Sequence, residues 1–321
     1  MRYEKKVIVL SSVLAALLLI WAAGVLFSPE RMAARSESAH LIAGKAADIA
    51  SISFAGASGS APIQLAKSGP AWTMIDGSAQ LPVQASRVGG FIDALGAISR
   101  LRPVARSKDS WAGFELDDAH AKRATLKDAS GKVLADVYIG GYGPTGSEVY
   151  LRRSGSDVSY TVDAGIASYF NSGRATWLDL SLLGSVKETE VQSFSIKSSI
   201  ALDGKGKPAL NLDYALSRDG KGWKSGAAQV DADASNSYLR SILGLQGDDY
   251  IATAPADAFA KIDARITLDL GSGASKAIEV GASAGNDHFY GRFAGQSLAF
   301  TLSTYSLRSS LKSLADLAPK K

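Results

Sequence analysis

The sequence pattern of this chain occurs twice, and this repeat restricts the fold more than any other feature. Trp72 in the first copy matches Trp223 in the second, 151 residues later. Further along, Tyr150 and Tyr290 are 140 residues apart, so the interval drifts little from one end of the copy to the other. Self-similarity at a nearly fixed interval is typical of a repeated structural unit. We therefore expect two tandem units of similar topology.

Each copy combines strand patterns with one amphipathic helix. Apolar residues recur at helical spacing within residues 85–99 of the first copy and residues 231–246 of the second. Alternating apolar and polar residues around Gly- and Ser-containing turns predict hairpins on either side of each helix. Each copy closes with a short helix that Asp163 or Ser303 is expected to cap. Because hairpins join most of the strands, the predicted fold class is α+β with antiparallel sheets.

The N-terminus carries a long apolar segment that predicts a membrane anchor. Residues 7–27 contain no charged side chain, and 21 residues of helix just span a hydrocarbon core of about 30 Å. Arg2, Lys5 and Lys6 precede the segment, so the positive-inside rule places the N-terminus in the cytoplasm. We expect a single-pass protein of the inner (cytoplasmic) membrane whose bulk is periplasmic or otherwise extracytoplasmic.

A cleaved signal peptide is the alternative for this segment, with Ala22 and Gly24 as the small residues before the cut. Both interpretations place the rest of the chain outside the cytoplasm. The predicted organisation is a cytoplasmic tail (1–6), a transmembrane anchor (7–27), a juxtamembrane spacer (28–47), a first α+β unit (48–171), a connector (172–187) and a second α+β unit (188–318).

Composition and residue spacing argue against catalysis and against cofactors. The chain has no cysteine, which excludes disulfides, thiolate metal sites and a cysteine nucleophile. Its histidines, His40, His120 and His288, are far apart in the sequence, whereas a metal site needs converging ligands. Helix starts and turns account for the paired aspartates at Asp117–Asp118, Asp231–Asp233 and Asp248–Asp249. We expect no enzymatic activity, no cofactor and no metal.

The charge pattern gives little support to nucleic-acid binding. The formal net charge is +4, from 35 Lys and Arg against 31 Asp and Glu, and part of the excess lies before the apolar segment. No stripe of Lys and Arg interleaved with aromatic residues appears. The expected partners are therefore the membrane and a protein of the cell envelope.

The glycine-rich stretch IGGYGPTGSEVY, residues 139–150, resembles a phosphate-binding loop only superficially. It lacks the lysine and the Ser/Thr of a P-loop, and its G-x-G-x-x-G string at 141–146 runs into a strand pattern instead of a helix. The second copy keeps only Gly281 and Gly285 in the matching stretch. We interpret the stretch as a hairpin connection, and we expect any role to be contact with a partner through Tyr142 and Pro144, with Trp177 of the connector as a third candidate.

Three motifs resemble a known bacterial family, the domain of unknown function 4340. They are WAGFELDD at 111–118, LKDASGKVL at 126–134 and VYLRRSGSDV at 149–158, and the similarity covers roughly residues 48–200. One position departs from the family pattern, since Glu115 stands where the family usually has glycine. The resemblance implies a membrane anchor and an extracytoplasmic body of uncharacterised role, often encoded beside gliding-type ABC transporter components. It supplies no catalytic residues.

These observations together predict a non-enzymatic, membrane-anchored accessory or interaction subunit, with an ABC-type transporter or envelope complex as the expected assembly. The alternative is an extracytoplasmic module that binds a small ligand or glycan between the two units.

Overall fold

A computed structural model describes residues 13–21, 40–56, 62–99, 101–202, 208–220 and 222–318. The density of contacts groups the chain into two compact units. Unit 1 comprises residues 1–67 and 86–172, and unit 2 comprises residues 68–85 and 173–321.

The first half of the chain supplies the strands of one sheet: β1 (Ile49–Ala55), β2 (Ile63–Ser68), β3 (Ala71–Asp76), β4 (Ala79–Pro82), β5 (Arg102–Ala105), β6 (Lys122–Asp128), β7 (Val133–Tyr142), β8 (Glu148–Arg153) and β9 (Ser159–Asp163). Their hydrogen-bonded order is β4-β3-β2-β1-β6-β7-β8-β9-β5. Helix α1 (Ala85–Ala97) lies between β4 and β5 in the chain, and the short helix α2 (Ala167–Phe170) follows β9.

The second half supplies another sheet: β10 (Val191–Ile200), β11 (Leu210–Arg218), β12 (Trp223–Ser225), β13 (Ala228–Gln229), β14 (Asp249–Ile251), β15 (Ala264–Leu270), β16 (Ser275–Gly285), β17 (His288–Phe293) and β18 (Ala299–Ser303). Their order is β13-β12-β11-β10-β15-β16-β17-β18-β14, which is the first order repeated strand for strand. Helices α3 (Ala232–Leu243) and α4 (Thr304–Ser310) take the places of α1 and α2. The predicted α+β class with two antiparallel sheets is confirmed.

The core of unit 1 lies between α1 and the sheet. The ring of Phe91 on α1 lies 4.8 Å from that of Phe54 on β1 and 5.8 Å from that of Phe170 on α2, measured between ring centres. All three side chains are buried. Burying one such aromatic side chain stabilises the fold by about 1.5–3 kcal/mol, so this cluster fastens the helix to the sheet.

Unit 2 builds an equivalent core from its own residues. Asp231 caps α3 by accepting a hydrogen bond from the backbone N–H of Ala234 at 2.7 Å. On the sheet, the ring centre of Phe194 lies 5.2 Å from that of Trp223 and 5.7 Å from that of Tyr238 on α3. The strand residue of each cluster comes from the same position in its sheet, the fourth strand of each order, β1 or β10, which matches the predicted repeat.

The hairpin of β3 and β4 groups with unit 2 because the segment just after residue 172 holds it. The N–H of Gln84 donates to the carbonyl oxygen of Trp177 at 2.9 Å, and the N–H of Asp179 donates to that of Pro82 at 3.0 Å. The guanidinium of Arg174 adds an ion pair with Asp76.

The described part of the apolar N-terminal segment, residues 13–21, is helical. All seven of its large apolar side chains are more than half exposed. Among the described residues, no helix is both long enough and apolar enough to cross a bilayer. The rest of the predicted anchor, residues 7–12 and 22–27, lies outside the described residues.

Candidate partner-contact surface

The glycine-rich stretch forms the connection between β7 and β8, as the sequence predicted. The N–H of Gly143 donates to the carbonyl oxygen of Glu148 at 2.8 Å, and the N–H of Gly146 donates to that of Gly143 at 2.9 Å. Gly146 has a φ of 71°, a left-handed conformation that favours glycine. We call residues 142–148 the hairpin tip.

Tyr142 and Pro144 both lie exposed on the hairpin tip. The amide nitrogen of Asn171, which directly follows α2, donates to the hydroxyl of Tyr142 at 3.4 Å. The side chain of Lys122 donates to the amide oxygen of the same asparagine. Tyr142 therefore presents its ring from a position that hydrogen bonds help to fix.

An ion pair borders the hairpin tip. Arg102 on β5 contacts the carboxylate of Glu148 at 2.5 Å, and its Nε donates to the hydroxyl of Thr161 at 3.1 Å. The arginine side chain is 65% exposed, so solvent screens the pair and its contribution to stability is small. Its charges remain accessible to a partner beside Tyr142.

Close backbone approach explains one of the glycines. A Cβ atom on Gly140 of β7 would lie 2.2 Å from the carbonyl oxygen of Phe114. Unit 2 repeats the arrangement on β16, where a Cβ on Gly281 would lie 2.0 Å from the carbonyl oxygen of Ala258. Gly140 and Gly281 thus allow a segment of the chain to lie directly against each sheet: residues 111–116 in unit 1, and the residues around Ala258 and Phe259 in unit 2. We call these the covering segments.

A row of side chains crosses three strands of unit 1 beneath that covering segment. Tyr138 on β7 pairs with Arg123 on β6 and with Arg152 on β8. The guanidinium of Arg152, which is buried, lies 3.5 Å from the ring centre of Tyr138 and 4.0 Å from that of Trp111. Its Nε donates to the carbonyl oxygen of Leu116 at 2.8 Å. Arg152 therefore pins residues 111–116 to the sheet.

Unit 2 has the same row with one change. Glu279 on β16 pairs with Arg265 on β15 and with Arg292 on β17. The Nε of Arg292 donates to the carboxylate of Glu279 at 2.9 Å, and its guanidinium lies 4.3 Å from the ring centre of Phe259. A carboxylate thus replaces the phenol ring between the two arginines.

Each arginine of the row in unit 1 has its own carboxylate: Asp136 pairs with Arg123, and Asp118 pairs with Arg152 at 3.1 Å. Arg123 donates two hydrogen bonds to Asp136, at 2.7 and 2.6 Å. Burial alone would raise the pKa of Asp136, but the hydrogen bonds and positive charge of Arg123 outweigh it and lower the pKa below its usual value. The same hydrogen bonds raise the pKa of Arg123. The pair is therefore ionised at neutral pH.

The prediction of Trp177 as a third contact residue is wrong, because its side chain is buried. Its side chain is 0% exposed, in a stretch of unit 2 where Leu178 and Leu183 are also buried. The sequence placed Trp177 in the connector, residues 172–187, as a candidate contact residue. Because the ring packs inside unit 2, it offers no surface to a partner.

Arg174 joins two acidic residues in unit 2. Its guanidinium contacts Asp76 and Asp249, each at 2.8 Å, and also donates to the carbonyl oxygen of Tyr250. Asp249 was expected in a turn but begins strand β14. Burial, followed by the charge of nearby Asp179, raises the pKa of Tyr250 to about 12. This network holds the start of β14 and does not resemble an acid–base pair.

The three histidines lie in separate places. His40 is exposed, while His120 is within 2.8 Å of Asp117 and holds the pKa of that aspartate below its usual value. His288 contacts the carbonyl oxygen of Asn286 at 2.6 Å. Across the described ranges, no three His, Asp or Glu side chains gather into a group that could hold a metal ion.

Open depressions occur in unit 2. One, of about 460 Å³, lies beside the ends of β10, β11 and β15, and Lys197, Asn211, Asp213 and Arg265 are among its lining residues. Another, of about 340 Å³, is lined by Asp179, Tyr250, Lys276, Phe293 and Gln296 together with smaller residues.

Comparison with known proteins adds one finding. A family model described as "Domain of unknown function (DUF4340)" matches residues 72–264, which is more than half of the chain. Neither the curated proteins nor the solved structures contain a match to the chain.

Proposed function

We propose that this chain, which belongs to the DUF4340 family of domains of unknown function, is a membrane-anchored extracytoplasmic accessory subunit. Residues 7–27 hold it in the cytoplasmic membrane, and its two units stand outside the cytoplasm. The hairpin tip contacts a protein partner, which we propose to be a component of an ABC-type transporter or envelope complex. The protein itself is not an enzyme in this proposal.

The exposed apolar helix is the observation that carries the proposal. Within residues 13–21 all of the large apolar side chains, from Val13 to Trp21, are more than half exposed, and they occur on every side of the helix. A helix that is apolar all round is stable only where apolar surroundings cover it. Hydrocarbon chains of lipid supply such surroundings, and the three basic residues before the segment fit an N-terminus in the cytoplasm.

A difference between the repeats supports the hairpin tip as the contact surface. In unit 2 the matching strands β16 and β17 are joined by a two-residue turn, Asn286 and Asp287, both with positive φ. In unit 1 the connection is five residues long, 143–147; it carries the exposed Pro144 and directly follows the exposed Tyr142 at the end of β7. Aromatic side chains and arginines, such as the neighbouring Arg102, are enriched among residues that dominate protein–protein binding.

Site-specific crosslinking in intact membranes tests the proposed contact. Tyr142→p-benzoylphenylalanine should crosslink the full chain to a transporter or envelope component that mass spectrometry can identify. The matched control is Tyr305→p-benzoylphenylalanine, because Tyr305 lies in unit 2 and is 83% exposed. Equal products from both positions, or none from position 142, would contradict the proposal.

A ligand-binding module is the second candidate, and the depression of about 340 Å³ in unit 2 favours it. Its size lies at the lower end of the range of small-molecule sites, about 300–1,000 Å³. Its aromatic and polar lining residues, among them Tyr250, Phe293 and Gln296, are groups that saccharides contact. Calorimetric titration with envelope saccharides tests this candidate, and Phe293→Ala should abolish any binding heat that arises there.

A further inference from the structure

We infer that unit 1 faces the phospholipid headgroups of the bilayer with one particular end of its sheet, which we call the basal surface. It consists of Lys45, Lys67, Lys127, Lys132 and Val133. The inference rests on the proposed anchor and adds an orientation to it.

These residues lie at the same end of neighbouring strands. Lys127, near the end of β6, pairs with Val133 at the start of β7. On its other side Lys127 pairs with Ser51 of β1, which in turn pairs with Ala66, next to Lys67. The side chain of Lys67 donates to the carbonyl oxygen of Ala47 at 3.1 Å. The register therefore gathers the basal surface around the β6–β7 turn.

The chain enters unit 1 at this end. Leu41 is buried, and the N–H of Ala43 donates to the carbonyl oxygen of Leu134 at 2.7 Å. Leu134 directly follows Val133, so the first described residues after the apolar segment dock beside the basal surface. Residues 28–40 span at most roughly 45 Å even when fully extended. The tether therefore enters unit 1 beside the basal surface.

The charge and polarity of the basal surface suit a lipid interface. All four of its lysines are exposed. The two nearby acidic residues are engaged locally: Asp48 accepts from the N–H of Lys45, and Asp128 accepts from the N–H groups of Ser130 and Lys132. Val133 is 45% exposed at the turn. Lysines attract anionic headgroups, and their apolar stems and a single apolar side chain tolerate the interfacial region.

Strand β7 connects the two surfaces. It runs from Val133 in the basal surface to Tyr142 in the hairpin tip. At about 3.3 Å per residue, these ends lie roughly 30 Å apart. With the basal surface on the bilayer, the hairpin tip points away from it, where the extracytoplasmic part of a partner can reach Tyr142.

Depth-dependent quenching in vesicles tests the orientation. The chain has no cysteine, so Val133→Cys can carry a single fluorophore in the full-length protein, reconstituted with anionic phospholipid and nitroxide-headgroup lipid. Thr145→Cys reports the hairpin tip. We expect at least about threefold stronger quenching at position 133 than at position 145.

The charges are tested in the same system. Lys127→Glu combined with Lys132→Glu should reduce quenching at position 133 at least about twofold. Replacing the anionic vesicles with uncharged ones should reduce quenching at position 133 to the same extent in the protein that keeps both lysines. Equal quenching at positions 133 and 145 would overturn the inference.

Flotation of the same samples separates this result from the proposed anchor. If the chain floats with the vesicles while the label positions are quenched equally, the orientation is wrong and the anchor stands. If the chain does not float, the proposed anchor is wrong, and the orientation that depends on it is wrong as well.

Discussion

The guanidinium of Arg152 lies 3.5 Å from the ring centre of Tyr138, the residue opposite it on the neighbouring strand. Unit 2 repeats this relationship at Arg292 and Glu279, where the ring is replaced by a carboxylate. In each unit the arginine also reaches a segment that covers the sheet, through Trp111 or Phe259. In both units, therefore, an arginine of the sheet that contacts an aromatic ring fixes the covering segment to the sheet.

The first prediction concerns Arg152. Arg152→Met should lower the free energy of unfolding by about 2–3 kcal/mol, because the buried carbonyl oxygen of Leu116 loses its donor. The control is Arg102→Met, whose ion pair with Glu148 is exposed and should contribute less than about 1 kcal/mol. Urea unfolding of the full chain in detergent measures both changes. An Arg152→Met change no larger than the control would show that the arginine does not pin the segment.

The glycines beneath the covering segments give the second prediction. Gly140→Ala and Gly281→Ala should each cost about 2 kcal/mol or more, since the new Cβ meets a backbone oxygen that cannot move freely. Gly113→Ala and Gly173→Ala are the controls in the two units, because no atom lies within 4 Å of the added Cβ and neither has a positive φ. These controls should change stability by less than about 0.5 kcal/mol. Thermal or urea unfolding distinguishes the two classes of glycine.

The third prediction is a pH dependence. The folded-state pKa of Asp136 is lowered by Arg123, so its contribution to stability is complete above the unfolded value of about 3.9. It is lost as the pH falls through the lower folded value. Asp136→Asn should therefore destabilise the protein by about 1–2 kcal/mol at pH 7. Urea midpoints at pH 7, 5 and 3 should show the difference from the wild type shrinking only at the lowest pH.

A matched variant controls for general charge effects on this profile. Asp213 forms an ion pair with Lys197 whose two side chains are both more than three-quarters exposed. Asp213→Asn should therefore show no comparable loss at pH 7. A constant difference between Asp136→Asn and the wild type at all three pH values would rule out the ionised Arg123–Asp136 pair as its cause.

The fourth prediction separates packing from partner contact at Trp177. Because the ring is fully buried, Trp177→Ala should cost about 3–5 kcal/mol of stability. Trp177→Phe should leave crosslinking from position 142 unchanged at a temperature where the variant is folded. Loss of the crosslink in a folded Trp177→Phe protein would restore Trp177 as a contact residue.

The repeat and most of its elements could be predicted because their signals are local and periodic. The helical spacing around Phe91 and the alternation in the hairpin strands are properties of short windows. Strands β5 and β14 escaped prediction because they contain four and three residues, and they exist through pairing with β9 and β18. Their formation depends on residues more than 45 positions away in the chain.

The candidate surface was predicted only in part, for a similar reason. Tyr142 and Pro144 could be placed on a turn, since glycine and proline mark turns locally. The Arg152–Tyr138 contact depends on strand register, which no short window specifies. Glu115 is instructive here: its φ of 57° explains why the family usually has glycine at this position. The sequence showed the departure, and the structure supplied the backbone conformation behind it.

Membrane orientation of the full chain is the most direct test of the proposed function. Single-cysteine variants Glu4→Cys and Thr145→Cys would be treated with a membrane-impermeant maleimide in sealed right-side-out vesicles, before and after permeabilisation. The account predicts that position 145 is labelled in sealed vesicles, while position 4 is labelled only after permeabilisation. Labelling of position 145 only after permeabilisation would contradict an extracytoplasmic, membrane-anchored protein.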